Sequence, residues 1–323
     1  MSALILSHDE VERLLDMPGC MAAMEQALVA LARGEFHLPL RPIVRPPGQS
    51  SVLGLMPTHR AGARPLYGLK TVAVIPDNPT RGLDPHQGTV TLYDGTTGEL
   101  VALMNATPIT AIRTAAVSGI ATRALARQDA RELAMVGAGH QAHAHIAAML
   151  EARPFERIRI ASRSYSSAQR LAAEWPIATA VETAEEAVRD ADVVCTVTSS
   201  AEPVVFGEWL TPGAHVNAVG ACFPHMRELD GAAVARSSFF VDRRESAENE
   251  AGDYLLALEE GAISEGHIKA ELGDVLAGTS PGRTSDDEIT VFESQGLAVE
   301  DLAAAEYLER RADETGVGTR VEF

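Results

Sequence analysis

Apolar positions recur along this chain at two periods, and the change from one to the other divides it. Ser7 to Glu10 spells a capping box ahead of an apolar-periodic stretch, which predicts a short helix. Met21, Met24, Leu28 and Leu31 recur at three- and four-residue steps and predict an amphipathic helix. Residues 37–50 hold four prolines and two arginines and predict an ordered loop or edge segment. Strand-like runs follow at 51–56, 67–75 and 88–93. Asp94-Gly95 turns the chain, and Glu99–Met104 returns as a hairpin partner. Thr107-Pro108 reads as an N-cap with proline at the first helical position, opening a helix that runs to about Arg127.

From Arg131 the rhythm becomes alternating strand and helix. Strands are predicted at 132–136, 157–161, 192–198, 215–219 and 238–242, with Ile289–Phe292 adding another. Helices are predicted at 141–151, 165–174 and 183–190, and Ala298–Arg311 forms a last amphipathic helix. Such alternation predicts an α/β fold, a parallel sheet with helices on both faces.

With 323 residues the chain suits two domains. The net charge of −18 argues against nucleic acid or an anionic membrane as partner, since both require a basic surface. A small anionic substrate would then need a few local cations. The first ten residues have no basic region and no long apolar run, so no secretory signal is expected. No stretch approaches the roughly 18 apolar residues of a membrane span. Cys20, Cys195 and Cys222 lack metal or disulfide spacing, and the expected location is the cytoplasm.

Glu132-Leu-Ala-Met-Val136 runs into Gly137-Ala138-Gly139-His140-Gln141-Ala142 and a helix follows. This is G-x-G-x-x-A between a strand and a helix. Gly137 permits the tight turn, Gly139 lets backbone approach a pyrophosphate, and Ala142 stands where a small residue lets helix and strand pack. Amides at the helix start then bind the phosphates. The second strand ends in Ser162-Arg163-Ser164, with no acid for a ribose 2′-hydroxyl. A hydroxyl flanked by arginine suits a 2′-phosphate, so NADP(H) is the preferred cofactor, with NAD(H) possible. His143 and His145 point to different faces of one helix, no carboxylate or cysteine completes a ligand set, and no metal is expected. His140 is placed beside the cofactor phosphates.

Arg45, Lys70 and Arg113 each sit among apolar neighbours. A buried cation costs several kcal/mol unless an anion meets it. Arg113 alone reads equally as a structural salt bridge. Three in the segment before a dinucleotide fold read as a clamp for a carboxylate.

Leu55-Met-Pro57, Gly68-Leu-Lys70, Ala111-Ile-Arg-Thr-Ala115, Val136-Gly-Ala-Gly139 with Gln141, Val216-Asn-Ala-Val-Gly220 and Thr290-Val-Phe292 together resemble the ornithine cyclodeaminase / mu-crystallin family over nearly the whole chain. The resemblance implies a Rossmann-type dinucleotide-binding domain, residues 119–299, inserted in a smaller α+β substrate and dimerisation domain, residues 1–118 with 300–323. It implies that Arg45, Lys70 and Arg113 hold the substrate carboxylate. Thr89, Arg113, Gln141, Thr198, Asn217, Ala218, Val219, Gly220 and Ser294 would line the nicotinamide and ribose. A homodimer is implied as well.

Two departures bear on the reaction. Cyclodeaminases of the family carry a catalytic Asp two residues after the Asn-Ala-Val-Gly motif and a Glu three residues before the Pro of Met-Pro. Cys222 and Gly54 stand at those places here. Arg227-Glu-Leu-Asp230 and Asn249-Glu-Ala-Gly-Asp253 resemble mu-crystallin and the cyclic-imine reductases more closely. The leading expectation is an NAD(P)H-dependent reductase of a cyclic 2-imino acid, with Lys70 and Arg113 as its catalytic residues. A cyclodeaminase, an open-chain amino-acid or imino-acid dehydrogenase, and a non-catalytic binder of a small ligand are the alternatives.

Overall fold

The computed structural model describes residues 2–322. Two compact units emerge, Met1–Arg113 together with Gly296–Phe323, and Thr114–Gln295. Their boundaries precede the expected ones by a few residues. The first falls inside a helix, where no loop composition marks it, and the second at Gly296.

In the first unit, β1 (Ser2–Leu6) leads to α1 (His8–Leu14) and α2 (Met17–Ala32). The capping box is formed, Ser7 and Glu10 each closing on the other's backbone. The proline-rich segment holds two short strands, β2 (Phe36–His37) and β3 (Ile43–Val44), both laid on β4 (Val52–Arg60). Then come β5 (Leu66–Val74), β6 (His86–Asp94), β7 (Leu100–Asn105) and α3 (Ala106–Leu125). Asn105, not Thr107, caps α3: its side chain accepts the Thr107 amide, while the Thr107 hydroxyl donates to the His86 carbonyl.

The second unit begins with β8 (Glu132–Val136), α4 (His140–Ala152), β9 (Arg157–Ala161), α5 (Tyr165–Ala172), β10 (Ala178–Ala180), α6 (Ala184–Val188), β11 (Val193–Thr196) and β12 (His215–Ala218). It continues through α7 (Gly231–Ala235), β13 (Ser238–Val241), α8 (Arg244–Glu250), α9 (Gly252–Glu259), β14 (Ile268–Glu271), α10 (Leu272–Leu276) and β15 (Thr290–Glu293). The chain then returns to the first unit with α11 (Ala298–Thr315) and β16 (Thr319–Glu322).

The sheet of the first unit runs β16-β1-β7-β6-β5-β4-β2 and is antiparallel except between β1 and β7. Its alternation sets two faces. Met56, Lys70, Val90 and Met104 share a row on the face that α11 crosses. Gly68 lets α11 come close, since a Cβ there would stand 3.0 Å from Leu302. The other face presents Leu53, Leu55, Pro57, Tyr67 and Leu69, with Tyr67 51% exposed.

The sheet of the second unit is wholly parallel, in the order β10-β9-β8-β11-β12-β15-β13-β14. Chain order reverses between β8 and β11, the place where a doubly wound sheet opens a crevice at its carboxyl edge. A buried arginine and a half-buried one finish α3 in place of a glycine cap. Arg153 donates to the carbonyls of Arg123, Ala126 and Arg127, and Arg283 to that of Leu125. Among the described residues no single helix is long and apolar enough to cross a membrane.

Candidate functional site

The turn after β8 is built from backbone. Gly137 has φ of 115°, and a Cβ there would lie 2.9 Å from the Val197 carbonyl oxygen. Only glycine fits without strain. Its amide donates to the Ala161 carbonyl, tying the turn to β9. At Gly139 the opposite holds: a Cβ would meet nothing within 4 Å, so the space beside it is open. Gly139 is also the N-cap of α4, and no side chain caps the helix. Ala142 is fully buried against the sheet. An open cradle, an uncapped start to a 13-residue helix and a positive helix end fit the pyrophosphate of a dinucleotide. Ala138, His140 and Gln141 lie along this turn, His140 exposed and Gln141 with a buried Oε1 that meets no donor.

On the β9 side of the reversal, Ser162, Arg163 and Ser164 follow the strand, with Arg163 exposed. Ser164 begins α5, but its hydroxyl pairs with that of Ser166 instead of capping the helix. On the β11–β12 side stand Thr198, Ala218, Val219 and Gly220. Asn217 belongs to the core. Its side chain is fully buried, donates to the Thr122 hydroxyl and faces His215. Ser294, just past β15, is buried with a hydroxyl that meets no partner. His143 and His145 diverge: His143 packs on Trp175, and His145 is buried between the Gln141 carbonyl and the Ser118 hydroxyl.

The first unit brings two of the three expected cations together. Lys70, 2% exposed, puts Nζ 2.9 Å from Asp301 Oδ1. Arg113, 4% exposed, puts Nε 3.1 Å from the same oxygen and Nη1 2.7 Å from Glu300 Oε2. Gly296 makes room, since a Cβ there would collide with the guanidinium. Burial, then the repulsion of Arg113, pushes the Lys70 ammonium down to about 8, with Asp301 working the other way. Burial also opposes the Arg113 charge, but Asp301 and Glu300 outweigh it and hold its pKa above the ordinary arginine value.

Arg45 does not join this group. It is exposed beyond β3, and the cation of that segment whose charge bears on Lys70 is Arg41. Arg41 is half-buried while Arg45 is exposed. Thr89 also lies apart from Lys70, because the register of β6 sets it beside Thr71 and Asn105 on the opposite face.

The family model of the ornithine cyclodeaminase/mu-crystallin family matches residues 1–316. The chain belongs to that family. Within it, the chain is 37% identical to a Delta(1)-pyrroline-2-carboxylate reductase of Bacillus cereus, covering 99% of this chain and 100% of the relative. It superposes on the Delta(1)-pyrroline-2-carboxylate reductase of Thermococcus litoralis, solved with NADH and L-proline, with a TM-score of 0.95 and 37% identity over 98% of this chain and 100% of that one. An archaeal alanine dehydrogenase dimer with bound NAD gives 0.94 and 34% identity over the full length of both.

Arg41, Glu300 and Asp301 are not among the expected site residues, and Glu228 enters only within the motif Arg227–Asp230. Glu300 and Asp301 lie at the end of an unbroken run of buried residues, 289–302, whose last five positions open α11. That run has no amphipathic period, and an acidic pair in a first helical turn is ordinarily read as a complement to the helix dipole. Nothing local signals their burial.

Proposed function

We propose that this protein is a nicotinamide-dependent reductase of a cyclic 2-imino acid, pyrroline-2-carboxylate or piperideine-2-carboxylate, yielding the L-amino acid. The observation that carries this reading is the absence of both carboxylates that a cyclodeaminase needs. Cys222 stands in one place, and Gly54 in the other is bordered by Ile43 and Val72, each with an atom 3.5 Å from where a Cβ would be. Oxidative deamination needs a base to take the ammonium proton and help in expelling ammonia. Reduction of an imine needs a held carboxylate and a proton. Kinship with pyrroline-2-carboxylate reductases along the whole chain supports the same reading.

The dinucleotide, when bound, supplies the hydride. The uncapped start of α4 holds its pyrophosphate, and Ser162, Arg163 and Ser164 favour a 2′-phosphate, hence NADPH over NADH. Lys70 and Arg113, with Arg41 in the place expected for Arg45, meet the substrate carboxylate. Asp301 and Glu300 offset the charges of Lys70 and Arg113, and the charge of Arg41 also bears on Lys70. Lys70 holds or releases a proton at Nζ near neutral pH. The half-exposed apolar face of the first unit's sheet, around Leu55, Pro57 and Leu69, supports a homodimer, measurable by light scattering.

The deciding experiment follows NADPH and NADH oxidation with cyclic and open-chain imino acids, and ammonia release from ornithine and lysine. Net oxidation with the cyclic imines and no ammonia is expected. Ammonia from ornithine with catalytic NAD, and no imine reduction, would reverse the reading.

A further inference from the structure

At the carboxyl edge of the second unit's sheet, four donors converge on one carboxylate. Glu228 is fully buried. Its Oε1 accepts the Thr198 amide at 2.5 Å. Its Oε2 accepts the Gly220 amide at 2.6 Å, the Thr196 hydroxyl at 2.7 Å and the Val219 amide at 3.3 Å. Thr196 and Thr198 belong to the end of β11, Val219 and Gly220 to the turn after β12. The two turns are also pressed on each other: a Cβ on Gly220 would collide with the Thr198 carbonyl and lie 2.7 Å from Glu228 Oε1.

Glu228 is itself fixed from behind. Asp253, next to the start of α9, accepts the Glu228 and Leu229 amides at 2.8 and 2.9 Å. Arg227 pairs with Glu260, and Asp230 caps α7 while accepting the Gly207 amide. The Arg227–Asp230 motif thus forms a rigid base that presents one carboxylate to two loops.

In a doubly wound sheet a dinucleotide straddles the reversal, its phosphates at the first strand and its adenosine ribose toward the second. Here those are β8 and β9, so the nicotinamide half falls on the β11 and β12 side. We infer that Glu228 is a positioning residue that clasps the loops after β11 and β12 into the shape that receives the nicotinamide half of the cofactor. This rests on the dinucleotide reading given above.

Each of the four contacts requires an acceptor, so a proton on either oxygen of Glu228 would face a donor. Burial raises its pKa, and the Thr198 and Thr196 side chains with the Thr198 and Gly220 amides oppose that rise. Glutamine at 228 keeps the shape but turns one oxygen into an NH₂ that confronts a backbone amide or the Thr196 hydroxyl. Buried donor against donor costs more than losing a bond, and the loops must shift to relieve it.

The test compares NADH with ADP-ribose, which lacks the nicotinamide, by calorimetric Kd. Glu228→Gln is expected to weaken NADH about tenfold or more and ADP-ribose less than twofold. Thr196→Val removes one donor at nearly constant shape, and should weaken NADH about threefold with ADP-ribose unchanged; it serves where Glu228→Gln does not fold. Equal weakening of both ligands, or of neither, would overturn the clasp while leaving the dinucleotide reading intact. A wild-type protein that binds neither ligand would overturn both.

Discussion

The two parts of this molecule proposed to meet small molecules are made of different material. The turn at Gly137–Gly139 is backbone: two glycines, a strand that ends and a helix that starts without a cap. Its partners are neighbours in sequence, and its fit depends on side chains being absent. The cluster at Lys70 and Arg113 is side chain throughout, and its partners Asp301 and Glu300 stand 231 and 187 residues away. A backbone site tolerates change around it but not in it. A buried ionic cluster transmits any change to all of its members, because each charge is buried only on condition that the others stay.

That contrast is sharpest at Arg113. Arg113→Ala removes the cation that both Glu300 and Asp301 face, and should cost about 3–5 kcal/mol of stability together with most of the imino-acid turnover. ADP-ribose affinity of whatever remains folded should change less than imino-acid turnover. Arg41→Ala separates function from stability: the residue is half-buried, so the loss of Tm should be smaller than for Arg113→Ala while KM for the imino acid rises about tenfold or more. Arg45→Ala should alter neither. Steady-state kinetics beside thermal melts would decide, and a KM effect at Arg45 with none at Arg41 would contradict the assignment.

The glycines of the backbone site should behave in the opposite way. Gly139→Ala adds a methyl where nothing stands within 4 Å, so Tm should change little while the Kd for NADH rises at least about tenfold. Gly137→Ala strains a left-handed residue against the Val197 carbonyl and should lose about 1–3 kcal/mol of stability. Melting and titration of both variants test the pair. A Gly139→Ala protein that binds NADH normally would remove the close-approach argument.

The same difference explains what could be read from the sequence. Strand, glycine spacing and helix in the second unit are local, and β8, α4 and β9 fall where the period placed them. The capping box at Ser7 and Glu10 was equally local. The short helices α7 to α10 were not predicted, although α6, no longer than α7 and α10, was. Arg41 and Arg45 share one proline-rich setting, and only the pairing of β3 with β4 decides which faces inward. Lys70 was legible as a cation out of place in a strand. Asp301 was not, because an acid in a first turn is ordinary.

Lys70 offers a finer probe, through pH. Its folded pKa of about 8 lies below the ordinary lysine value of 10.5. Between those values the unfolded chain binds the proton more tightly, so the burial penalty is present in full below about pH 8 and fades as pH rises toward 10.5. Affinity for a carboxylate moves the other way, because the clamp loses a charge above about pH 8. KM for the imino acid should therefore rise over that range, and Lys70→Arg, which stays charged, should flatten the rise in any variant that retains activity. A wild-type KM that is level to pH 9.5 would show that Lys70 does not hold the carboxylate.

A more limited effect is expected at Arg163, where backbone and side chain are proposed to act on one cofactor. The turn at Gly137–Gly139 meets groups that NADH and NADPH share, so it cannot tell them apart. Discrimination must come from the end of β9, where Ser162, Arg163 and Ser164 stand and no carboxylate does. Arg163 is exposed, so its bond to a 2′-phosphate would be screened by water and salt, and about tenfold is the most it should supply. Arg163→Ala is expected to raise the Kd for NADPH about tenfold and that for NADH less than twofold, with the gap narrowing as ionic strength rises. Reductase relatives and neighbours solved with NADH or NAD make the opposite result informative. If wild-type protein binds NADH more tightly and the variant changes both equally, the missing acid after β9 signifies tolerance of either cofactor, and Arg163 is a solvated surface residue.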